Sequence, residues 1–153
     1  MVNTTDRLAK AGIELPPPVT PFGPYVPAVQ TGNLLFLSGM LPTAGHAALF
    51  VGRVGQELNL EQGCKAAYAA ALNVLAVAQR QLGSLDRVAR VVRLGVYVAV
   101  AGEVDLVKIA DAASEVLRDV FGNDQLPVRL VFGVERLPLG TPVELETVFE
   151  VSA

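Results

Sequence analysis

The segment from Asn59 to Gly83 constrains the fold more than any other part of this sequence. Asn59 is a good helix N-cap, and Gln62 follows it at the spacing of a capping box. Apolar side chains then recur at helical spacing, which predicts one long amphipathic helix. Gly83 is expected to end this helix in a left-handed conformation. The stripe predicted to pack in the core comprises Leu60, Cys64, Ala67, Tyr68, Ala71, Leu72, Leu75, Ala78 and Leu82.

A long apolar strand, predicted over residues 88–100, follows this helix. Both of its faces are largely apolar, so we expect an interior strand that is covered on both sides. A second helix is predicted over residues 103–121, where apolar residues occupy one face, and Gly122-Asn123 ends it. The side chains expected to face solvent on this helix are Asp105, Lys108, Asp111, Glu115 and Arg118.

Five further strands are predicted from runs and alternation of apolar residues. The first two flank Thr31-Gly32-Asn33, which is typical of a hairpin turn because glycine and asparagine tolerate positive φ. A short helix over residues 4–11, which Thr4 or Thr5 can cap, precedes them. The five strands cover residues 25–30, 34–40, 48–54, 128–136 and 143–151, and the pattern over 48–54 is the weakest.

This order of elements favours an α+β fold, a mixed sheet with two helices packed on one face. The other face then has no helix to cover it. Apolar residues make up 52% of the 153 residues and charged residues 18%, whereas average domains have about 45–50% and about 25%. Excess apolar surface on a small domain often becomes a subunit interface. We therefore expect a homo-oligomer.

Charge and cysteine content exclude several kinds of site. The net charge is −3 and the cations form no run, so we expect no nucleic-acid partner. One cysteine and one histidine do not suffice for a Cys/His zinc site, and no P-loop or dinucleotide fingerprint is present. The N-terminus lacks the apolar core of a signal peptide and no apolar stretch could span a bilayer, which predicts a cytoplasmic protein.

Arg129 is the first candidate site residue. It lies in a strongly apolar strand directly after Leu126-Pro127-Val128, and alternation places Val131 and Gly133 on its face. A guanidinium among apolar residues needs a partner, and its planar fork of donors matches a carboxylate. The structural alternatives are an ion pair with a neighbouring glutamate and protection of an edge strand.

Glu144 is the second candidate. It shares one face of the last strand with Glu146 and Glu150, which is usual for a solvent-facing surface, but a glutamate at a partly enclosed cleft can orient or deprotonate water. In a simple hairpin of the last two strands, Arg129 and Glu144 would lie several residue pairs apart along the strands. Because each residue adds about 3.3 Å, the two side chains could not contact one substrate. Their meeting on one substrate would need another strand order or a second chain.

Several short segments between about residues 20 and 151 form a recognisable set. They are Gly23-Pro24-Tyr25-Val26, the stretch from Thr31 to Pro42 with Ser38-Gly39, Pro127-Val128-Arg129, Arg136-Leu137-Pro138 and Val143-Glu144-Leu145-Glu146. This set resembles the RidA/YjgF family, also labelled "L-PSP endoribonuclease", and the strand around Tyr97 and the helix with Asn73 fall in the expected order. The whole chain, residues 1–153, is identified as a single domain of this type, with residues 1–20 as an N-terminal extension. Met40 and Leu130 depart from the usual residues and indicate a side branch.

The resemblance implies a chorismate-mutase-like fold and a homotrimer with sites between subunits, and it implies that neither a metal nor an organic cofactor is used. It also implies hydrolysis of reactive 2-imino or 2-enamino acids to 2-oxo acids and ammonia, so the partner would be a small carboxylate substrate. In that scheme Arg129 binds the substrate carboxylate and Glu144 helps to orient the attacking water. The implied substrate-binding positions are Tyr25, Ser38, Gly39 and Val131.

Two other functions remain open at this point. One is a non-catalytic regulatory trimer that binds a small carboxylate, which Arg129 would serve equally well. The other is the ribonuclease activity in the family label, against which the acidic balance and the lack of clustered cations argue.

Overall fold

The computed structural model describes residues 3–153. The five strands of its main sheet run in the order β1-β2-β7-β5-β6, where β5 and β6 are parallel and the other neighbours antiparallel. Strands β3 and β4 form a separate two-stranded ribbon. The elements are α1 (Thr4–Lys10), β1 (Ala28–Thr31), β2 (Leu34–Leu37), β3 (Thr43–Ala44), β4 (Ala47–Ala48), α2 (Leu60–Leu82), β5 (Val88–Ala99), α3 (Leu106–Phe121), β6 (Val128–Val134) and β7 (Val143–Val151).

Helix α2 has the ends that the sequence predicts. The Asn59 side chain accepts a hydrogen bond from the Gln62 N–H at 2.8 Å, and the Asn59 N–H donates to Gln62 Oε1 at 2.9 Å. Gly83 ends the helix with φ +83°. The prediction that Tyr68 packs in the core is wrong. Tyr68 lies in a row with Cys64 and Leu72 at the edge of the apolar side of this helix. Tyr68 is 40% exposed.

The N-terminal helix α1 is present, but neither Thr4 nor Thr5 caps it. Asn3 is the cap, and its side chain accepts from the Asp6 N–H at 2.8 Å. Thr4 is already helical, and its N–H and hydroxyl both donate to Asp86 at 2.8 Å. The N-terminal segment is thereby fastened to the connection between α2 and β5.

The predicted strand over residues 48–54 is wrong. The chain instead forms the β3–β4 ribbon, and most of the following residues are irregular. Among residues 49–54, only Val54 forms a β-bridge, and its N–H donates to the Ala99 carbonyl at 2.8 Å. Gly52 and Gly55 have φ of +127° and +97°, and these positive values bend the backbone away from an extended path.

Helices α2 and α3 cover one side of the main sheet, which we call the helix face, and the opposite side is the open face. Alternation along β7 puts the carboxylates of Glu144, Glu146 and Glu150 on the open face, as predicted. Helix α3 starts at Leu106, with Asp105 as its N-cap, rather than at residue 103. The buried β7 side chains on the helix face are Val143, Leu145, Thr147, Phe149 and Val151.

Candidate functional site

Arg129 lies on the edge strand β6 and reaches over the helix face to α3. Its Nη1 donates to Asp111 Oδ1 at 2.8 Å and to Ser114 Oγ at 3.0 Å. Within residues 3–153, its Nε and Nη2 have no hydrogen-bond partner. The guanidinium borders an open cleft of about 380 Å³ between α3 and the start of β6. Arg129 is therefore ion-paired, but with an aspartate of α3 and not with the predicted glutamate. One edge of its guanidinium still carries donors without a partner among residues 3–153.

The sequence places Asp111 on the outer side of α3, but it does not indicate the pairing of Asp111 with Arg129 or the contact from Ser114. Asp111 was expected to be a solvated charge, but its side chain is half exposed and paired with Arg129. The spacing of the two residues, one turn apart, indicates that they share a helix face. Which strand residue they meet depends on how α3 packs on the sheet.

Glu144 lies on β7 and projects from the open face. A Cβ atom at position 39 would lie 2.5 Å from Glu144 Oε2, so the carboxylate occupies space that only Gly39 leaves open. Burial raises the pKa of the Glu144 carboxyl group, and the negative charge of Glu146 raises that pKa further. A carboxylate with a raised pKa is a better proton acceptor than an ordinary glutamate, which suits proton transfer with water.

Glu146 is held next to Glu144 by two neighbours on β5. Arg93 Nε donates to Glu146 Oε1 at 3.3 Å, and the Tyr97 hydroxyl donates to the same oxygen at 3.5 Å. These partners fix the position of the Glu146 carboxylate, whose charge acts on Glu144.

Tyr25, Ser38 and Gly39 come together at the end of β2 and line one shallow depression. The Ser38 hydroxyl donates to the Val26 carbonyl at 2.6 Å, and the Tyr25 hydroxyl accepts from the Phe22 N–H at 3.0 Å. These bonds hold the loop that carries Tyr25. Because Glu144 packs on Gly39, one chain assembles four of the six candidate residues in one place.

Arg129 and Glu144 do not meet within one chain. Strand β5 lies between their strands, where Leu94 pairs with Arg129 and Tyr97 pairs with Glu144. The two rows are three residues apart, or about 10 Å at about 3.3 Å per residue, and two strand spacings add about 10 Å across the sheet. The side chains also project from opposite faces. Strand order does not bring them together, so only a second chain could.

Val131 shares the helix face with Arg129 and is partly buried. It lies on the edge strand, whose outer side has no partner strand among residues 3–153. Two candidates, Arg129 and Val131, therefore lie at one edge of the sheet. The other four lie toward the opposite edge.

Residues 3–153 contain no group of three or more histidine, cysteine, aspartate or glutamate side chains placed to hold a metal ion. None of the helices in this part of the chain combines the length and apolar character that a bilayer span requires.

Comparison with known proteins gives consistent matches along the chain. The family model described as "YjgF/chorismate_mutase-like, putative endoribonuclease" matches residues 5–149. Protein TCP17 of Trypanosoma cruzi is 36% identical over 148 residues, which cover 95% of this chain and 92% of that protein.

Solved structures extend this similarity to the fold. Atu1372 of Agrobacterium tumefaciens, described as of unknown function, is 30% identical with a TM-score of 0.89, covering 97% of this chain and 92% of its own. A "putative endoribonuclease" of Shewanella oneidensis is 27% identical with a TM-score of 0.93, covering 98% and 100%. RidA of the Antarctic bacterium Psychrobacter sp. is 26% identical with a TM-score of 0.60, covering 88% and 94%. The first two structures thus share nearly the whole chain, including most of the N-terminal segment.

Proposed function

We propose a hydrolytic deaminase function for this chain, which belongs to the YjgF/chorismate mutase-like family. Its substrates would be reactive 2-imino or 2-enamino acids, which water converts to 2-oxo acids and ammonia. The observation that carries the proposal is the Arg129 guanidinium, which borders a cleft and has Nε and Nη2 without partners among residues 3–153. These two nitrogens form a fork that matches a substrate carboxylate.

The reaction requires few catalytic groups from the protein. Imines already react with water, so orientation and charge stabilisation suffice. Glu144 would accept a proton from the water as its oxygen bonds to the imine carbon. The π electrons of the C=N bond move to the nitrogen, which takes the proton back from the carboxyl group, and a carbinolamine results. Glu144 would then carry the carbinolamine hydroxyl proton to the nitrogen, so that the C=O bond forms as the carbon–nitrogen bond breaks and ammonia leaves. The raised pKa of Glu144 suits these transfers.

The proposal requires more than one copy of the chain, because Arg129 and Glu144 are separated within each copy. Arg129 and Val131 lie on the edge strand β6, whereas Gly39 follows β2 toward the other edge. Contact between two different surfaces of the same chain generates a closed ring when the rotation closes. We propose a homotrimer in which Arg129 of one subunit faces Glu144 of the next.

The open face of the sheet supports an assembly of this kind. Several large apolar side chains on it are more than 40% exposed, and no helix of the described residues covers them. An exposed apolar surface of this kind marks an interaction site more often than a free surface. These side chains are Val29 at 52%, Phe36 at 42%, Val128 at 71% and Phe132 at 55% exposure.

The test is ammonia release from freshly generated 2-aminoacrylate. Wild-type protein should accelerate it, and Arg129→Ala should lose on the order of 2–4 kcal/mol of transition-state binding, or about 30- to 1000-fold in kcat/KM. Arg80→Ala, which removes an exposed arginine from the last turn of α2, is the matched control and should keep the wild-type rate.

Equal rates for wild type and Arg129→Ala would refute the proposal. Binding of a 2-oxo acid that depends on Arg129, without turnover of any imine, would instead favour a carboxylate-binding regulator. RNA cleavage by nuclease-free preparations that Arg129→Ala abolishes would favour a ribonuclease.

A further inference from the structure

We infer that Asp111 positions the Arg129 guanidinium so that its Nε and Nη2 edge is presented to the substrate carboxylate. The inference rests on the proposed function and adds a residue to it. Asp111 would act through Arg129 and would not touch the substrate, so its role is that of a positioning residue.

The hydrogen bonds to Arg129 converge on a single nitrogen. Asp111 Oδ1 lies 2.8 Å and Ser114 Oγ lies 3.0 Å from Nη1. Nη1 carries two hydrogen atoms, so the two acceptors use both of them. A change in the side-chain torsions that turned another edge of the guanidinium toward the cleft would break both hydrogen bonds. The pair of acceptors thereby favours the orientation in which Nε and Nη2 stay free, and it also slows the exchange of Nη1 and Nη2 by rotation about the Nε–Cζ bond.

Both acceptors are carried by a rigid element. Asp111 and Ser114 are one turn apart on α3, and the helix is anchored by side chains that are fully buried in the hydrophobic core. Those next to the pair are Ile109, Ala110 and Ala113, each 0% exposed. An arginine side chain otherwise has many accessible rotamers, and ordering one on binding costs about 0.5–1.5 kcal/mol. Orientation by Asp111 before binding removes that cost from the binding step.

Asp111 is also an anion close to the position proposed for the substrate carboxylate. If charge were its main effect, it would compete with the substrate, and any neutral substitution would improve binding. If positioning is its main effect, loss of the acceptor should weaken binding. Asparagine keeps an oxygen acceptor and removes the charge, whereas alanine removes both, so the two substitutions separate the effects.

The experiment measures imine hydrolysis by Asp111→Ala and Asp111→Asn. We expect Asp111→Ala to raise KM about three- to tenfold, the equivalent of the ordering cost, and to leave kcat within about twofold. Asp111→Asn should have a KM at or below that of the wild type. Asp119→Ala is the matched control, because Asp119 pairs with Arg118 at 3.4 Å on the same helix and does not bond to Arg129. It should leave KM unchanged.

A lower KM in Asp111→Ala would show that the carboxylate competes with the substrate, and an unchanged KM would show that it does not act on binding. Either result overturns the inference. A second readout is independent of activity: ¹⁵N NMR of the Arg129 side chain, assigned by its loss in Arg129→Lys. Rotation about Nε–Cζ should be slow in the wild type and in Asp111→Asn, and fast in Asp111→Ala. Equally slow rotation in Asp111→Ala also overturns the inference.

The two readouts distinguish the failure of this inference from the failure of the proposed function. Wild-type protein that hydrolyses no imine refutes the function, and the NMR comparison still decides whether Asp111 orients Arg129. Active wild-type protein with unaltered KM in Asp111→Ala refutes the positioning role alone.

Discussion

Gly39→Ala is predicted to impair activity with almost no effect on stability. The new Cβ would lie 2.5 Å from Oε2 and 2.9 Å from Cδ of Glu144. Since ordinary contacts begin at about 3.5 Å, the carboxylate must move by about 1 Å. An off-rotamer glutamate side chain costs about 0.5–1.5 kcal/mol. Replacing glycine by alanine where φ is not positive returns about 0.4–1 kcal/mol by restricting the unfolded chain. The two terms nearly cancel.

Activity should respond much more strongly, because a displacement of about 1 Å at a catalytic group can reduce the rate about 100-fold. The assays are urea denaturation and imine hydrolysis, each on Gly39→Ala, Glu144→Ala and the double variant. If Gly39→Ala acts through Glu144, it should reduce the rate little further in the Glu144→Ala background. A wild-type rate in Gly39→Ala, or an equal loss in both backgrounds, would refute this reasoning.

Three other predictions follow from the structure. The raised pKa of Glu144 means that the folded state binds this proton more tightly than the unfolded state does. The free energy of unfolding should therefore fall as pH rises from about 4.3, the ordinary pKa of a glutamate, through the raised pKa of Glu144 in the folded protein. Urea titrations should show a smaller fall for Glu144→Gln, and an equal fall would contradict the assignment. Asn73→Ala leaves two buried carbonyls without their donor and should lose about 2–4 kcal/mol in the same assay, unlike the exposed control Gln79→Ala. Phe132→Arg on the open face should dissociate the proposed trimer in sedimentation velocity, whereas Val107→Arg, at the same 55% exposure on α3, should not.

Local sequence was sufficient where a feature depends on neighbours in the chain. The capping box of α2 joins Asn59 and Gln62, three residues apart, and the β1–β2 turn needs only Gly32 and Asn33. Strand alternation likewise assigned the faces of β6 and β7 correctly, because successive side chains project to opposite sides. It failed over residues 48–54, where Gly52 has a positive φ and Gly55, directly after this range, has another, so that the extended backbone is interrupted.

Within the candidate site, the sequence by itself determined that Arg129 lies in an apolar strand and that Glu144 lies on an acidic face. Only the tertiary structure decided that β5 separates the two strands and that the two side chains project from opposite faces. It also decided that Asp111 accepts a hydrogen bond from one edge of the guanidinium. The physical reason is that a hydrogen-bond partner is selected by the packing of elements that are distant in sequence. Alternation states which face a side chain occupies, but it does not state which element lies on that face.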